Sequence, residues 1–231
     1  MNIKFKYDIK KEAENWYNIA SDKDDTFGDS YEDAVMSIPN NILEIISSVP
    51  RNKAIDKIVD YLEHDPRQKL KNIFINEKIS GLKKIWGELG QKLVDALNKV
   101  TRKKFDEEEY TAYITHLFIC DYNISEKYFF LSLYHSVGLN FSVLAHELLH
   151  FITYKHFKSY CVEKGLTEDQ FQNLKESLTV VLNSPVFDEI LLIEDYGYPD
   201  HEKLRSFLEK KFLSGADFDA LINHGVNYLL K

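Results

Sequence analysis

Cysteine is scarce in this 231-residue chain, which contains Cys120 and Cys161 and no others. Two cysteines cannot form the multi-bridge framework of a small secreted domain, and these two lack the close spacing of a zinc knuckle or a redox motif. We therefore expect both to be reduced, buried thiols.

Long apolar runs are also absent. No segment approaches the roughly 18 apolar residues of a membrane span, and the N-terminal residues MNIKFKYDIKKE lack the apolar core of a signal peptide. The sequence therefore predicts a soluble, cytoplasmic protein with no membrane partner.

Basic side chains are outnumbered, with 29 Lys and Arg against 37 Asp and Glu, for a net charge of −8. Such a chain offers no strongly basic face, which speaks against nucleic acid or an anionic membrane as a partner. The deficit is uneven, since residues 1–105 carry 19 basic and 17 acidic side chains (net +2) and residues 106–231 carry 10 and 20 (net −10). This asymmetry predicts a domain boundary near residue 105.

Hydrophobic residues make up 44% of the chain, enough for a real core, and their spacing is mostly helical. The N-terminal half shows one short alternating segment, typical of a strand, and several amphipathic helices. Residues 111–120 and 127–134 are rich in β-branched and aromatic types and flank a run of turn-formers, which predicts an antiparallel hairpin. The predicted fold class is thus mainly helical α+β, with a small antiparallel sheet and a helical N-terminal half. The predicted strand covers residues 3–7, and the predicted helices cover about 8–20, 42–48, 52–63, 80–103, 202–213 and 217–230.

The segment FSVLAHELLHFITYKHF predicts a helix from Asn140 or Ser142 to about Tyr154, and it carries an HExxH motif. His146 and His150 are four residues apart, so their imidazoles leave the same helix face one turn apart, as two ligands of a tetrahedral zinc ion must. Glu147 lies beside them, where its carboxylate can reach a zinc-bound water without being a ligand itself.

A catalytic zinc ion needs a third protein ligand, and two candidates compete. His156 has the spacing of the longer metzincin motif, but Thr153 stands where that motif needs a glycine for a sharp turn. Glu176 is the stronger candidate. It falls within residues 166–183, which predict a second helix with Thr167 and Gln170 as a capping box, and it lies next to the apolar face of that helix.

His146, Glu147, His150 and a glutamate on a following helix resemble the gluzincin clan of zinc metallopeptidases. The resemblance covers about residues 111–201 and implies a β-sheet before the HExxH helix, whose edge strand binds an extended peptide. It also implies one Zn²⁺ per chain and a catalytic domain at 106–231, with residues 1–105 left as a cover or scaffold. The clan often places an acidic residue four after the ligand glutamate to orient a histidine. Here that position is Val180, so Thr179 or another group would take the role.

Gluzincins commonly use a downstream histidine and tyrosine to stabilise the oxyanion of the tetrahedral intermediate. Tyr198 and His201, in the segment EDYGYPDH, are similar in kind. The resemblance implies a zinc-dependent hydrolase acting on peptides or proteins. The alternative is a zinc-binding interaction or regulatory module that keeps the gluzincin-like site with little or no proteolysis.

Overall fold

The computed structural model describes residues 1–22, 31–105, 108–119 and 121–231. Cys120 lies outside the described residues, whereas Cys161 is a buried free thiol, as expected. The described strands are β1 (Asn2–Lys6), β2 (Glu109–Thr115), β3 (Tyr122–Asn123) and β4 (Tyr128–Ser132). The described helices are α1 (Ile9–Ser21), α2 (Tyr31–Val35), α3 (Asn40–Ser48), α4 (Arg51–His64), α5 (Gln68–Thr101), α6 (Val137–Glu163), α7 (Glu168–Leu178), α8 (Glu202–Leu213) and α9 (Phe218–Leu229).

The predicted class is confirmed, because the fold is mainly helical with one small sheet. Among the residues with assigned positions, no helix has both the length and the apolar character that a membrane crossing requires. The predicted strand and helices are present with shifted ends. The largest shift is in α5, which begins at Gln68 instead of Ser80.

The predicted antiparallel hairpin is wrong. The sheet has the order β1-β2-β4-β3 and is mixed: β2 runs parallel to β1 and to β4, and antiparallel pairing is found between β3 and β4. Residues of β4 are buried along its whole length. Strands buried on both faces carry continuous apolar runs, which are typical of parallel sheets and which hide the direction of pairing from the sequence.

The described chain forms two compact units. The sheet unit comprises residues 2–84 and 109–140, and the helical unit comprises Met1 with residues 85–108 and 141–231. Both α5 and α6 begin in the sheet unit and end in the helical unit. The predicted division into domains at residue 105 stays a prediction.

The core of the sheet unit lies among α1, α3, α4 and the residues that follow β2. Trp16, Ile58 and Leu117 are among its most buried members. The buried carboxylate of Glu12 in α1 accepts hydrogen bonds from the Trp16 indole (2.6 Å) and from the backbone N–H of His116 (2.8 Å). These bonds tie α1 to the end of β2.

The helical unit packs α6 against α7 and α9. The Tyr154 and Phe171 rings contact each other between α6 and α7, and Phe157 contacts Phe218 between α6 and α9. Between α7 and α9 the approach is closest at Gly225, where an added Cβ would lie 2.2 Å from the Leu174 Cδ1 atom. Glycine is therefore required there for close packing.

We predict that Gly225→Ala destabilises the protein by about 1–3 kcal/mol, because the added methyl group forces the buried Leu174 side chain out of its position. The free energy of unfolding from chemical denaturation measures the effect. Gly87→Ala is the matched control, since an added Cβ at this exposed helical position meets nothing within 4 Å. That change should stabilise the protein by about 0.5–1 kcal/mol. Equal stability of Gly225→Ala and the wild type would contradict the predicted close packing.

Candidate metal centre

The HExxH motif lies in the middle of α6, and the helix is longer than its sequence pattern predicts. It begins at Val137 and continues to Glu163 because, after Gly138 in its first turn, the chain offers no glycine or proline until Gly165. His146 and His150 project from one face, with ring centroids 4.3 Å apart. Leu144 and Leu148 are fully buried, so packing of the helix fixes the direction of this face.

Helix α7 presents Glu176 to the two histidines. Its start is the predicted capping box: the Thr167 side chain accepts the Gln170 N–H, and the Gln170 side chain accepts the Thr167 N–H. Helix α7 ends at Leu178, and a 3-10 turn over Thr179–Asn183 follows, where the sequence predicts continued helix. Its apolar face is buried, and the Glu176 side chain beside it is only 5% exposed.

His146, His150 and Glu176 converge, and their candidate ligand atoms all lie within 4.8 Å of one another. The His146 Nε2 atom is 3.2 Å from one Glu176 oxygen, and the His150 Nε2 atom is 3.1 Å from the other. With metal–ligand bonds of about 2.0–2.1 Å, atoms of a tetrahedral set lie about 3.3 Å apart. The spacing between each imidazole and the carboxylate is therefore close to that of a tetrahedral set, and the three side chains could hold one metal ion.

Burial and neighbouring charges shift the pKa values of His150 and Glu176. Burial lowers the pKa of His150 to about 3 despite the opposing charge of Glu176, so its imidazole is neutral at pH 7. Burial alone would raise the pKa of Glu176, but His150, Lys175 and His146 outweigh it and hold that pKa well below its usual range. A neutral imidazole and an ionised carboxylate are the forms that bind a metal.

His146 differs because a second carboxylate lies behind it. Burial disfavours its charged form, but Asp195 and Glu176 outweigh burial and raise its pKa well above the usual value. The two carboxylates therefore favour the protonated form of His146. A metal ion bound through Nε2 would require that nitrogen to be free of its proton.

Asp195 is a functional residue that the sequence interpretation missed. Its Oδ2 atom lies 2.5 Å from His146 Nδ1, the ring nitrogen that points away from Glu176. A carboxylate in this place fixes the tautomer and the orientation of a metal-binding histidine. Asp195 thus lies in the place beside His146 that the sequence analysis left to Thr179 or another group.

A network of hydrogen bonds holds Asp195. Its Oδ1 atom accepts a hydrogen bond from Thr179 (2.9 Å) and pairs with the Arg205 guanidinium (2.7 Å). The Asn183 side chain bonds both the N–H and the C=O of Asp195, each at 2.8 Å. Gly197, at φ +65°, leaves room for Arg205, whose atoms would lie 3.0 Å from an added Cβ. Thr179 therefore acts on His146 through Asp195.

The other predicted site residues lie at different places. Glu147 is buried in α6 next to His146. Tyr198 and His201 form an edge-to-face ring pair with centroids 6.0 Å apart. Burial lowers the pKa of His201, and the charge of Glu176 opposes that shift. His156 is exposed and lines a surface pocket beside Lys103, outside the His146–His150–Glu176 group.

Comparison of the chain with protein-family models, with curated proteins and with solved structures gives no match. The function of this site is therefore argued from its residues and their geometry. The likeness to gluzincins depends on the HExxH helix and on Glu176.

We predict that Asp195→Asn weakens zinc binding about 10–100-fold, because an amide neither carries the charge nor fixes the tautomer of His146 as a carboxylate does. Competition with a chromogenic chelator measures the dissociation constant. Glu194→Gln is the matched control, since the neighbouring Glu194 side chain is exposed. Equal affinities for Asp195→Asn and the wild type would show that Asp195 does not orient the histidine.

Proposed function

We propose that this protein is a zinc-dependent metallopeptidase that hydrolyses peptide bonds. The observation that supports the proposal most strongly is the convergence of His146, His150 and Glu176 from two helices at tetrahedral spacing. Glu147 accompanies them on α6, so a set of ligands and a general base occur together, as metal-assisted hydrolysis requires.

In the proposed site His146, His150 and Glu176 hold the ion. Zinc, when bound, supplies Lewis acidity and lowers the pKa of a water to about 7. The Glu147 carboxylate would accept one proton from the attacking water as its oxygen adds to the peptide carbonyl carbon. Glu147 would then deliver that proton to the amide nitrogen as the C–N bond breaks, and the second proton of the water would remain on the product carboxyl group.

His201 and Tyr198 are the proposed donors to the oxyanion that forms during the attack. The lowered pKa of His201, caused by burial, keeps its ring neutral, and a neutral imidazole donates through one nitrogen. Its Nδ1 atom is buried with no hydrogen-bond partner among the described residues. A donor without a competing partner suits a charge that develops only in the transition state.

A zinc-binding module without proteolysis remains the second candidate. It would use the same three ligands and would not need Glu147 as a base. The observation behind it is the ligand group itself, since His146, His150 and Glu176 could hold an ion without the help of a base. The two candidates differ in whether substitution of Glu147 changes any measured activity.

We predict about one zinc ion per chain in protein purified without added metal, and its loss in His150→Ala, since two protein ligands hold zinc poorly. Metal analysis by mass spectrometry measures the content. His156→Ala is the matched control because His156 is an exposed histidine on the same helix, and this variant should keep its zinc. If His156→Ala loses its zinc and Glu176→Ala keeps it, then His156, and not Glu176, is the third ligand.

We also predict that Glu147→Gln lowers peptide hydrolysis by about 10²–10⁴-fold and leaves zinc content unchanged, because the amide cannot accept the proton of water. Cleavage of a denatured protein or a peptide library, read by mass spectrometry, measures the activity. Glu163→Gln, at the far end of α6, is the control and should retain full activity. Zinc-loaded wild-type protein that cleaves nothing would favour the binding module.

A further inference from the structure

Lys175 is a buried lysine that the proposed mechanism does not use. Its side chain is 0% exposed, and its Nζ atom lies 2.9 Å from Glu176 Oε1. The same Oε1 atom lies 3.1 Å from His150 Nε2. One oxygen of a candidate metal ligand therefore faces both an imidazole and an ammonium group.

Lysine is almost never fully buried unless it is paired, because removing an ammonium group from water costs several kcal/mol. Glu176 has the same requirement for its carboxylate, which is itself buried. In the metal-free protein each group compensates the charge of the other. The pair allows both side chains to stay inside the helical unit before any ion is bound.

The position of Lys175 distinguishes it from Arg205, the other buried cation of this region. Arg205 pairs with Asp195, which contacts His146 through the nitrogen on the side away from Glu176. Lys175 contacts a candidate ligand atom directly. Its charge also acts on the surroundings, since Lys175 contributes to the lowered pKa values of Glu176, of His150 and of His201.

We propose that Lys175 is a tethered cation that neutralises Glu176 in the metal-free protein and competes with the metal ion for it. The inference rests on the proposed metal site and adds a means by which its occupancy is regulated. An incoming divalent ion must share Glu176 with a fixed positive charge, which weakens its binding. The protein then stays folded without metal, and it binds zinc less tightly than the same three ligands would without the ammonium group.

Lys175→Met tests the proposal, because methionine keeps the unbranched shape and most of the length of the side chain and removes its charge. Zinc should bind at least about tenfold more tightly, a size typical for groups that contact metal ligands. The metal-free variant should melt at a lower temperature than the metal-free wild type, since Glu176 is left buried without the ammonium. A merely structural lysine would lower both the affinity and the melting temperature, so opposite changes are diagnostic.

Lys158→Met is the matched control. Lys158, on α6, pairs with Glu168, on α7, at a distance of 2.9 Å, and the Lys158 side chain is partly exposed. Its loss should leave zinc affinity unchanged. A second measurement covers the case in which metal-free Lys175→Met does not fold: the double variant Lys175→Met/Glu176→Gln, with neither charge, should be more stable without metal than either single variant.

The outcomes separate this inference from the proposed function. If the wild type binds zinc and Lys175→Met binds it equally or more weakly, the competition is refuted and the metallopeptidase proposal stands. If neither protein binds zinc, the metal site itself fails and the inference with it. If the double variant is no more stable than the single variants, Lys175 and Glu176 do not compensate each other, which also refutes the inference.

Discussion

The Glu176 carboxylate lies inside the helical unit within 3.2 Å of both imidazoles of the HExxH helix and 2.9 Å from the Lys175 ammonium. A buried carboxylate is costly unless opposite charges and donors surround it. The packing of the helical unit places Glu176 among those opposite charges and donors. The capping box at Thr167 starts α7 in the correct register, and the close approach at Gly225 allows α9 to pack behind it. The same arrangement that stabilises the buried Glu176 carboxylate also places it beside both imidazoles, where it could bind a metal ion.

Asp195, which contacts His146 from behind, belongs to a segment without regular secondary structure. Asp195 reaches His146 from the side opposite Glu176, and Thr179, Asn183 and Arg205 fix it in place. His146 is thereby held between two carboxylates, whose charges raise its pKa well above the usual value. Positive charge on His146 and on Lys175 offsets the two carboxylates, and a bound metal ion would have to take over part of that role.

The parts of the centre that depend on local spacing were predictable from the sequence. His146 and His150 share a face because of helical periodicity, and Glu176 could be placed by the capping box and the apolar face of α7. The place of Asp195 could not be predicted, because its contact with His146 spans 49 residues and depends on how an irregular segment folds back. Lys175 gave no signal, since a charged residue on a helix is ordinarily solvated. The direction of the β2–β4 pairing was missed for a related reason: buried strands of either direction have the same composition.

An anomalous-scattering map, recorded at the zinc absorption edge from crystals of the full chain grown with zinc, shows whether the three candidate ligands hold a zinc ion. We expect one strong peak within about 2.0–2.2 Å of His146 Nε2, His150 Nε2 and a Glu176 oxygen, with Asp195 still bonded to His146 Nδ1. A peak bound by His156 in place of Glu176, or no peak in the helical unit, would contradict it.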